Sequence, residues 1–200
     1  MARRAIVLTT AYMPPVDYVE AIASAELVLL EAHEHYQKQS YRNRAEVVGP
    51  NGVERLVVPV VRPGGVHTPI KEVAISYATR WVEQHLGALR ACYGQSAFFI
   101  HYFPELERMV RQAWPSLWDL NLALLRFTLD RFGVRTPIRE TEAFYPSYPA
   151  NDVLDLRAAF HPKRARAGGK SYFQAFAARH GFIPNVSSVD LLFQEGEISR

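Results

Sequence analysis

The feature that most constrains the fold lies in the first thirty residues, where two short apolar runs flank a segment with helical periodicity. Ala5–Leu8 is the first run and residues 27–31 are the second. Between them, a proline pair ending at Pro15 suits the start of a helix, and Val16 and Val19 follow at helical spacing. Strand, helix and strand in so short a stretch predict a βαβ unit, which is parallel and right-handed.

A second pattern predicts a β-hairpin inserted after this unit. Residues 45–48 and 56–61 are apolar, and the Asn51-Gly52 pair between them is a strong short-range hairpin signal. Residues 73–75 have the composition of a further short strand. The hairpin would therefore follow the parallel part of the sheet along the chain.

The middle of the chain is helical by the same criteria. Apolar residues recur at helical spacing over residues 82–93 and 106–113. Ser116 and Asp119 have the spacing of a helix-capping pair, and the segment after them is apolar almost all round. We expect an α/β fold, with a small sheet that begins parallel, a hairpin insertion and helices packed on the sheet. An α+β fold with a mostly antiparallel sheet is the alternative.

The 200 residues suit a single domain spanning 1–200. Within it, no helix or strand period recurs from about 149 to 171, and residues 161–170 combine Gly with Lys and Arg. A mobile surface loop is one interpretation, and a loop that orders over a phosphate group is the other. Beyond this loop, Ser187 and Asp190 are predicted to form a capping box for a last apolar helix.

Composition excludes several classes of protein. Lys and Arg number 23 against 20 Asp and Glu, a formal net charge of +3, and no nucleic-acid-binding motif is present. No run reaches the roughly 18 apolar residues of a membrane-spanning helix. Cys92 is the single cysteine, so no intramolecular disulfide can form, which favours a reducing compartment. We therefore expect a cytoplasmic protein with no membrane span and no nucleic-acid partner.

A polar and aromatic run at residues 33–44 is the candidate ligand-binding segment. A core cannot hold so many donors cheaply, because a buried polar group without a partner costs about 1–3 kcal/mol. Arg42 and Arg44 share one face of an extended segment, and two guanidiniums suit a phosphate or carboxylate. An arginine that pairs with Glu31 or Glu46 is the competing interpretation. The candidate ligand-binding residues are Tyr12, Tyr36, Lys38, Tyr41, Arg42, Asn43 and Arg44.

Two histidines are candidate catalytic groups. His33 is a candidate general base, and His85 lies beside an apolar helical stripe, where a core histidine with satisfied hydrogen bonds is the alternative. Glu31, His33 and His35 would share a face of a continued strand, but this spacing arises easily by chance. We predict no metal site, no particular cofactor and no particular oligomeric state.

Six stretches together form a recognisable set that covers nearly the whole chain. They are Thr9-Thr10-Ala11-Tyr12-x-Pro14-Pro15, Tyr36-Gln37-Lys38-Gln39-Ser40-Tyr41-Arg42-Asn43-Arg44, Leu56-x-Val58-Pro59-Val60, Trp81-x-x-Gln84-His85, Ala97-Phe98-Phe99-x-x-Tyr102 and Gly181-Phe182-Ile183-Pro184-Asn185-Val186-Ser187-x-x-Asp190-Leu191-Leu192-Phe193. This set resembles the WbqC-like family. The second and the last stretch are the most specific, while His35 departs from the family pattern.

The resemblance implies a role near polysaccharide synthesis, because the family takes its name from a member encoded among O-antigen genes. Similar proteins are called aminosugar-modifying or glycine transferases. The first hypothesis is thus an enzyme that modifies a nucleotide-linked amino sugar by aminoacyl or acyl transfer. In it, Lys38, Arg42 and Arg44 hold the diphosphate, and His33 takes a proton from the attacking amine. The second hypothesis is a non-catalytic module that binds an anionic glycan, lipid or protein partner.

Overall fold

A computed structural model describes residues 4–149, 152–164 and 169–196. The strands in these residues are β1 (Ala5–Leu8), β2 (Leu27–Leu30), β3 (Arg44–Gly49), β4 (Gly52–Val57), β5 (Val60–Val61), β6 (Ala74–Ile75), β7 (Ile138–Glu140) and β8 (Val153–Asp155). The helices are α1 (Val16–Ser24), α2 (Trp81–Tyr93), α3 (Phe99–Arg111), α4 (Leu117–Arg131), α5 (Ala177–His180) and α6 (Ser188–Glu195).

The central sheet has four parallel strands in the order β7-β2-β1-β8. β1 pairs with β2 from Ala5↔Leu27 to Leu8↔Leu30. Both strands are short and strongly apolar, as strands covered on both faces are. Helix α1 joins them, so the predicted βαβ unit is confirmed. The α/β fold is confirmed with it, and the four-stranded sheet is not antiparallel.

The predicted hairpin is also confirmed. β3 and β4 pair antiparallel from Arg44↔Val57 to Gly49↔Gly52, and Gly52 has a φ of 102°, which favours glycine. β5 and β6 form a second two-stranded antiparallel pair. These strands and helices α2 to α4 occupy the stretch between β2 and β7, so the chain leaves the central sheet and returns to it.

Helix α4 begins as the sequence predicts. The Ser116 side chain accepts a hydrogen bond from the Asp119 N–H at 3.1 Å, which caps the first turn. Most residues of α4 are buried.

Among the described residues, no helix has the length and apolar character needed to cross a membrane.

The last helix, α6, closes the core and differs from its prediction in one respect. Phe193 lies among Tyr93, Phe99 and Phe103, with ring centroids 5.1 to 6.4 Å away. Ser187 caps the helix as predicted, by accepting from the Val189 N–H.

The capping-box role predicted for Asp190 is wrong. Its carboxylate is fully buried and accepts hydrogen bonds from the Tyr172 hydroxyl at 2.6 Å and the Gln174 amide at 3.0 Å. Asp190 therefore fixes the segment before α6 instead of the first turn of the helix.

Two strands of the central sheet were not predicted. β7 and β8 have three residues each, and β8 lies inside the stretch from 149 to 171 that was interpreted as a loop. β8 pairs with β1 from Ala5↔Val153 to Val7↔Asp155. Residues 150–151 and 165–168 of that stretch lie outside the described residues.

A candidate ligand cleft at the carboxyl edge of the sheet

The order of the strands determines where a ligand would enter. Numbered along the chain, the four strands of the central sheet have the spatial order 3-2-1-4, so the direction of winding reverses between β1 and β8. In open parallel sheets, ligands bind outside the carboxyl ends of the strands at such a reversal. A ligand-binding site is therefore expected among the residues that follow β1 and β8.

A cleft of about 40 Å³ lies between the chain segments that follow these two strands. The segment after β1 contributes Pro15 and Asp17, and the segment after β8 contributes 159–161 and Arg164. Tyr41 from the polar run and Asn185 complete the lining. Four stretches of sequence that are far apart thus meet at the reversal point.

Two strained backbone positions lie in the chain segments that form this cleft. Met13 has a φ of 42° and Asn185 a φ of 52°, both in the left-handed region that L-residues rarely adopt. They are held by contacts between their segments: the Ser187 hydroxyl donates to the Met13 carbonyl at 2.8 Å, and the Val16 N–H donates to the Val186 carbonyl at 3.0 Å. Such strain persists where the surrounding structure enforces it, and it concentrates at functional sites.

The surroundings of the cleft are electropositive. The pKa of His161 is lowered, first by burial and then by neighbouring positive charges. These charges belong to Lys163, Arg42, Arg164 and Arg44. Arg44 is half-buried, and its Nε is shielded from water without a hydrogen-bond partner among the described residues. A buried donor without a partner is costly, so this guanidinium is suited to an anionic ligand.

Asp17 is the acidic group of the cleft. Burial raises the pKa of its carboxyl to about 6, and the negative charge of Glu20 contributes in the same direction. Hydrogen bonds from backbone N–H groups oppose this shift. Its Oδ1 is buried without a partner among the described residues. Near neutral pH, this carboxyl is therefore protonated in a larger fraction of molecules than an exposed aspartate is.

Arg42 is engaged inside the protein. Its Nε and Nη2 donate to the Glu34 carboxylate at 2.8 and 2.5 Å, and both side chains are buried. Neither Glu31 nor Glu46, the partners considered from the sequence, forms this ion pair. Arg42 thus fixes the polar run, because residues 34 and 42 are near the two ends of it.

Glu31 connects three strands at the carboxyl edge. The residue is fully buried, and its carboxylate accepts from Arg157 at 3.0 Å and from the Thr141 hydroxyl at 2.9 Å. It also accepts from the His33 N–H at 3.0 Å. Thr141 follows β7 and Arg157 follows β8, so one carboxylate holds both edges of the sheet to β2. Sequence reasoning missed Arg157 because it is 126 positions from Glu31 along the chain.

His33 is exposed and oriented by the same group of residues. Its Nε2 lies 3.0 Å from the Thr141 carbonyl oxygen. A carbonyl can only accept, so Nε2 carries the proton and Nδ1 retains a lone pair. This tautomer leaves Nδ1 as the basic nitrogen, which the general-base hypothesis requires.

His85 lies elsewhere, inside the core. It is 4% exposed, its Nδ1 is 3.0 Å from the Tyr12 hydroxyl, and burial lowers its pKa to about 4. Tyr12 is itself fully buried. The Val57 backbone forms a further hydrogen bond with His85, so both side chains are engaged within the core and lie away from any ligand that stays at the surface.

The remaining candidates of the polar run have separate environments. Tyr41 lines the cleft, and Lys38 is exposed. Tyr36 is buried, with the Arg62 guanidinium over its ring at 5.8 Å. Asn43 is buried and donates to the Val58 carbonyl at 2.8 Å, which ties the run to the hairpin.

Four polar residues of the cleft were not among the sequence candidates: Asp17, His161, Arg164 and Asn185. His161 and Asn185 lay in stretches that the sequence analysis had noted, the basic loop and the longest family motif. Asp17 carried no signal beyond its place in the first turn of α1. Among the described residues, no three His, Cys, Asp or Glu side chains gather as a metal site would require.

The fold and the cleft define a parallel α/β protein with a cationic site at the reversal point of its sheet. The chain belongs to the WbqC-like protein family, which matches residues 10–173. It is also 26% identical to the Mycobacterium tuberculosis protein described as "Uncharacterized protein Rv1507c", over 97% of this chain and 94% of that one. No solved structure matches the chain at a significant level.

Proposed function

We propose that the protein is a cytoplasmic transferase that modifies a nucleotide-linked amino sugar in surface-polysaccharide or O-antigen biosynthesis. The observation that carries this proposal is the cationic cleft at the reversal point of the parallel sheet, between the segments after β1 and β8. Membership of the WbqC-like family supports it, since the family is named for a member encoded among O-antigen genes. The donor and the sugar are left open.

In this proposal, Arg44, Arg164 and Lys38 hold the diphosphate. Arg44 is anchored at the first residue of β3, and Arg164 lines the cleft. An anchored guanidinium loses little freedom on binding and offers a bidentate fork to phosphate oxygens. Arg42 holds the polar run through Glu34, so its part is to position the others.

Tyr41 contacts the ligand from the wall of the cleft, and the Tyr12 N–H supports that wall by donating to the Tyr41 carbonyl at 2.8 Å. The group to be transferred comes from an activated acyl or aminoacyl donor. The sugar amine attacks the acyl carbonyl, so a C–N bond forms as the bond to the leaving group breaks. The amine proton passes to Nδ1 of His33.

Thermal denaturation with a panel of UDP-, GDP- and dTDP-linked amino sugars tests ligand binding. A ligand at 100 times its Kd adds about 2.7 kcal/mol to the free energy of unfolding, or about 5–10 °C in Tm for a chain of this size. Arg44→Lys should reduce the shift, whereas Arg108→Lys, an exposed arginine of α3, should not. No shift with any member of the panel would contradict the proposal.

Turnover is tested separately with His33→Gln. General-base catalysis contributes about 10²–10⁴-fold, so kcat should fall by that factor while the ligand-induced shift in Tm is retained. His101→Gln, an exposed histidine of α3, is the matched control. Unchanged kcat in His33→Gln would remove His33 from the mechanism without affecting the binding site.

One observation favours the second candidate, a non-catalytic binding module for an anionic glycan, lipid or protein. The cleft of about 40 Å³ is far below the roughly 300–1,000 Å³ of sites that enclose a small-molecule ligand. Its size suits one anionic head group, with the rest of the ligand outside. Binding of a nucleotide sugar whose amine is not acylated by any acyl or aminoacyl donor would support this candidate over the enzyme.

A further inference from the structure

A second cavity lies away from the cleft and shares none of its lining. It holds about 430 Å³ between helix α4 and strand β7. β7 is an edge strand of the central sheet, and the wall opposite it is the C-terminal half of α4. A volume of this size falls within the range of small-molecule sites.

Part of the lining of this cavity is apolar, and this part is called the apolar floor. Leu122, Val134 and Ile138 are half-buried there, and Leu129 is buried. Apolar side chains in a concave surface lose contact with water when a ligand covers them, which favours binding. The cavity therefore favours a ligand with an apolar body.

The rim of the cavity is charged, and its acidic members are already paired. Asp130 accepts from Arg135 at 2.8 Å, and Glu140 accepts from Lys71 at 2.5 Å. Arg126 on α4 and Arg139 on β7 are exposed and have no ion pair within the described part of the chain. Two guanidiniums without an ion pair in the described residues thus belong to opposite walls of the same cavity.

We propose that this cavity binds a small amphipathic anion, namely a carboxylate or phosphate carried on an apolar body. Arg126 and Arg139 hold the anionic head, and the apolar floor takes the body. An extended peptide added to the edge of β7 fits less well, because a strand of three residues offers few main-chain hydrogen bonds. The proposal does not depend on the transferase function, since the two sites share no residue.

The test is isothermal titration of the whole chain with octyl phosphate and octanoate, each below its critical micelle concentration. Octanol is the neutral control and inorganic phosphate the control without an apolar body. Saturable binding of an anionic amphiphile, with weak or absent binding of both controls, supports the proposal. The anion that binds more tightly identifies the preferred head group as a phosphate ester or a carboxylate.

Matched variants locate the site. Arg126→Gln with Arg139→Gln should weaken binding about 10–100-fold, at about tenfold for each charge-assisted contact. Arg80→Gln with Arg108→Gln removes the same charge from exposed positions outside the cavity and should leave binding unchanged. Arg44→Lys should also leave it unchanged, which separates this site from the cleft.

The proposal is overturned if octanol or inorganic phosphate binds saturably with the same affinity as the anionic amphiphile. It is also overturned if the Arg126 and Arg139 double variant binds unaltered, or if neither anion binds saturably. Loss of binding in Arg44→Lys would also overturn it, since the probe would then occupy the cleft.

Discussion

The guanidinium of Arg42 and the carboxylate of Glu34 form a two-point ion pair, with Nε to Oε1 at 2.8 Å and Nη2 to Oε2 at 2.5 Å. Both side chains are less than a tenth exposed. Burial nevertheless raises the pKa of Glu34, so the loss of water outweighs the attraction of Arg42 for this carboxyl. The pair specifies the path of the polar run more than it stabilises the fold.

A double-mutant cycle tests this relationship. Arg42→Met alone should destabilise the protein by about 3–5 kcal/mol, because it leaves the Glu34 carboxylate buried without its partner. Arg42→Met combined with Glu34→Leu should restore much of that loss, since neither charge then remains in the core. Urea denaturation gives each free energy of unfolding. A double variant that is less stable than Arg42→Met alone would contradict the interpretation.

Arg44 is expected to differ from Arg42 because its guanidinium has an unpaired donor. Arg44→Lys keeps the charge and loses the bidentate fork, so it should weaken nucleotide-sugar binding by about 1–3 kcal/mol. Arg164→Lys should weaken it by about 0.5–1 kcal/mol, because Arg164 lines the cleft but is exposed. Isothermal titration with the nucleotide sugar that gives the largest thermal shift measures both. Equal binding by wild type and Arg44→Lys would exclude the polar run from the site.

Arg44 and Arg164 show which parts of the candidate site can be predicted from sequence. The hairpin pattern places Arg44 directly before a strand that starts at residue 45, and β3 begins at Arg44 itself. Arg164 belongs to the basic segment that the sequence leaves as either a mobile loop or a phosphate-binding loop. In the structure it lines the cleft, and its N–H donates to the His161 carbonyl at 2.9 Å. Local patterns identify an anchored residue, whereas they do not show which distant segment a loop will face.

The fold shows the same difference between local pairing, which is predictable, and distant pairing, which is not. The βαβ unit and the hairpin were predictable because their pairing is local and their apolar periods are strong. β7 and β8 were not, because three residues carry no measurable period and their partners β2 and β1 are more than one hundred positions away. The cleft depends on β8, so its full lining could not be derived from the sequence.

His85 gives a pH-dependent prediction. Burial lowers its pKa to about 4, so the folded state resists protonation while the unfolded state accepts a proton near pH 6.5. The stability from neutral His85 is present above pH 6.5 and is lost as the pH falls towards 4, by up to about 3 kcal/mol. His85→Gln should lack this acid-induced loss. At pH 7 it should be less stable by about 1–3 kcal/mol, because Tyr12 loses its partner.

The comparison is between free energies of unfolding of wild type and variant from pH 4 to pH 8. His101→Gln, an exposed histidine, should give a difference that is nearly constant over this range. A constant difference for His85→Gln as well would show that folding does not lower the pKa of His85.

Asp17 should change the stability of the protein with pH in the opposite direction to His85. Burial raises its pKa to about 6, so the folded state holds a proton that the unfolded state has released. The stabilising contribution of the protonated form is present at low pH and is lost as the pH rises through about 6. Asp17→Asn should therefore be more stable than wild type at pH 7, by about 1–2 kcal/mol after allowance for partial exposure. Below pH 4 the difference should vanish.

Because Asp17 lines the cleft, the same proton should be linked to the ligand. An anion in the cleft raises the pKa of this carboxyl further, so wild-type binding should tighten as the pH falls from 8 to 6 and should take up protons. Titration in two buffers of different ionisation enthalpy measures that uptake. Asp17→Asn should bind more tightly at pH 7 and lose the proton uptake. Glu26→Gln, an exposed change just before β2, should alter neither. Proton uptake that persists in Asp17→Asn would assign the linkage to a different group.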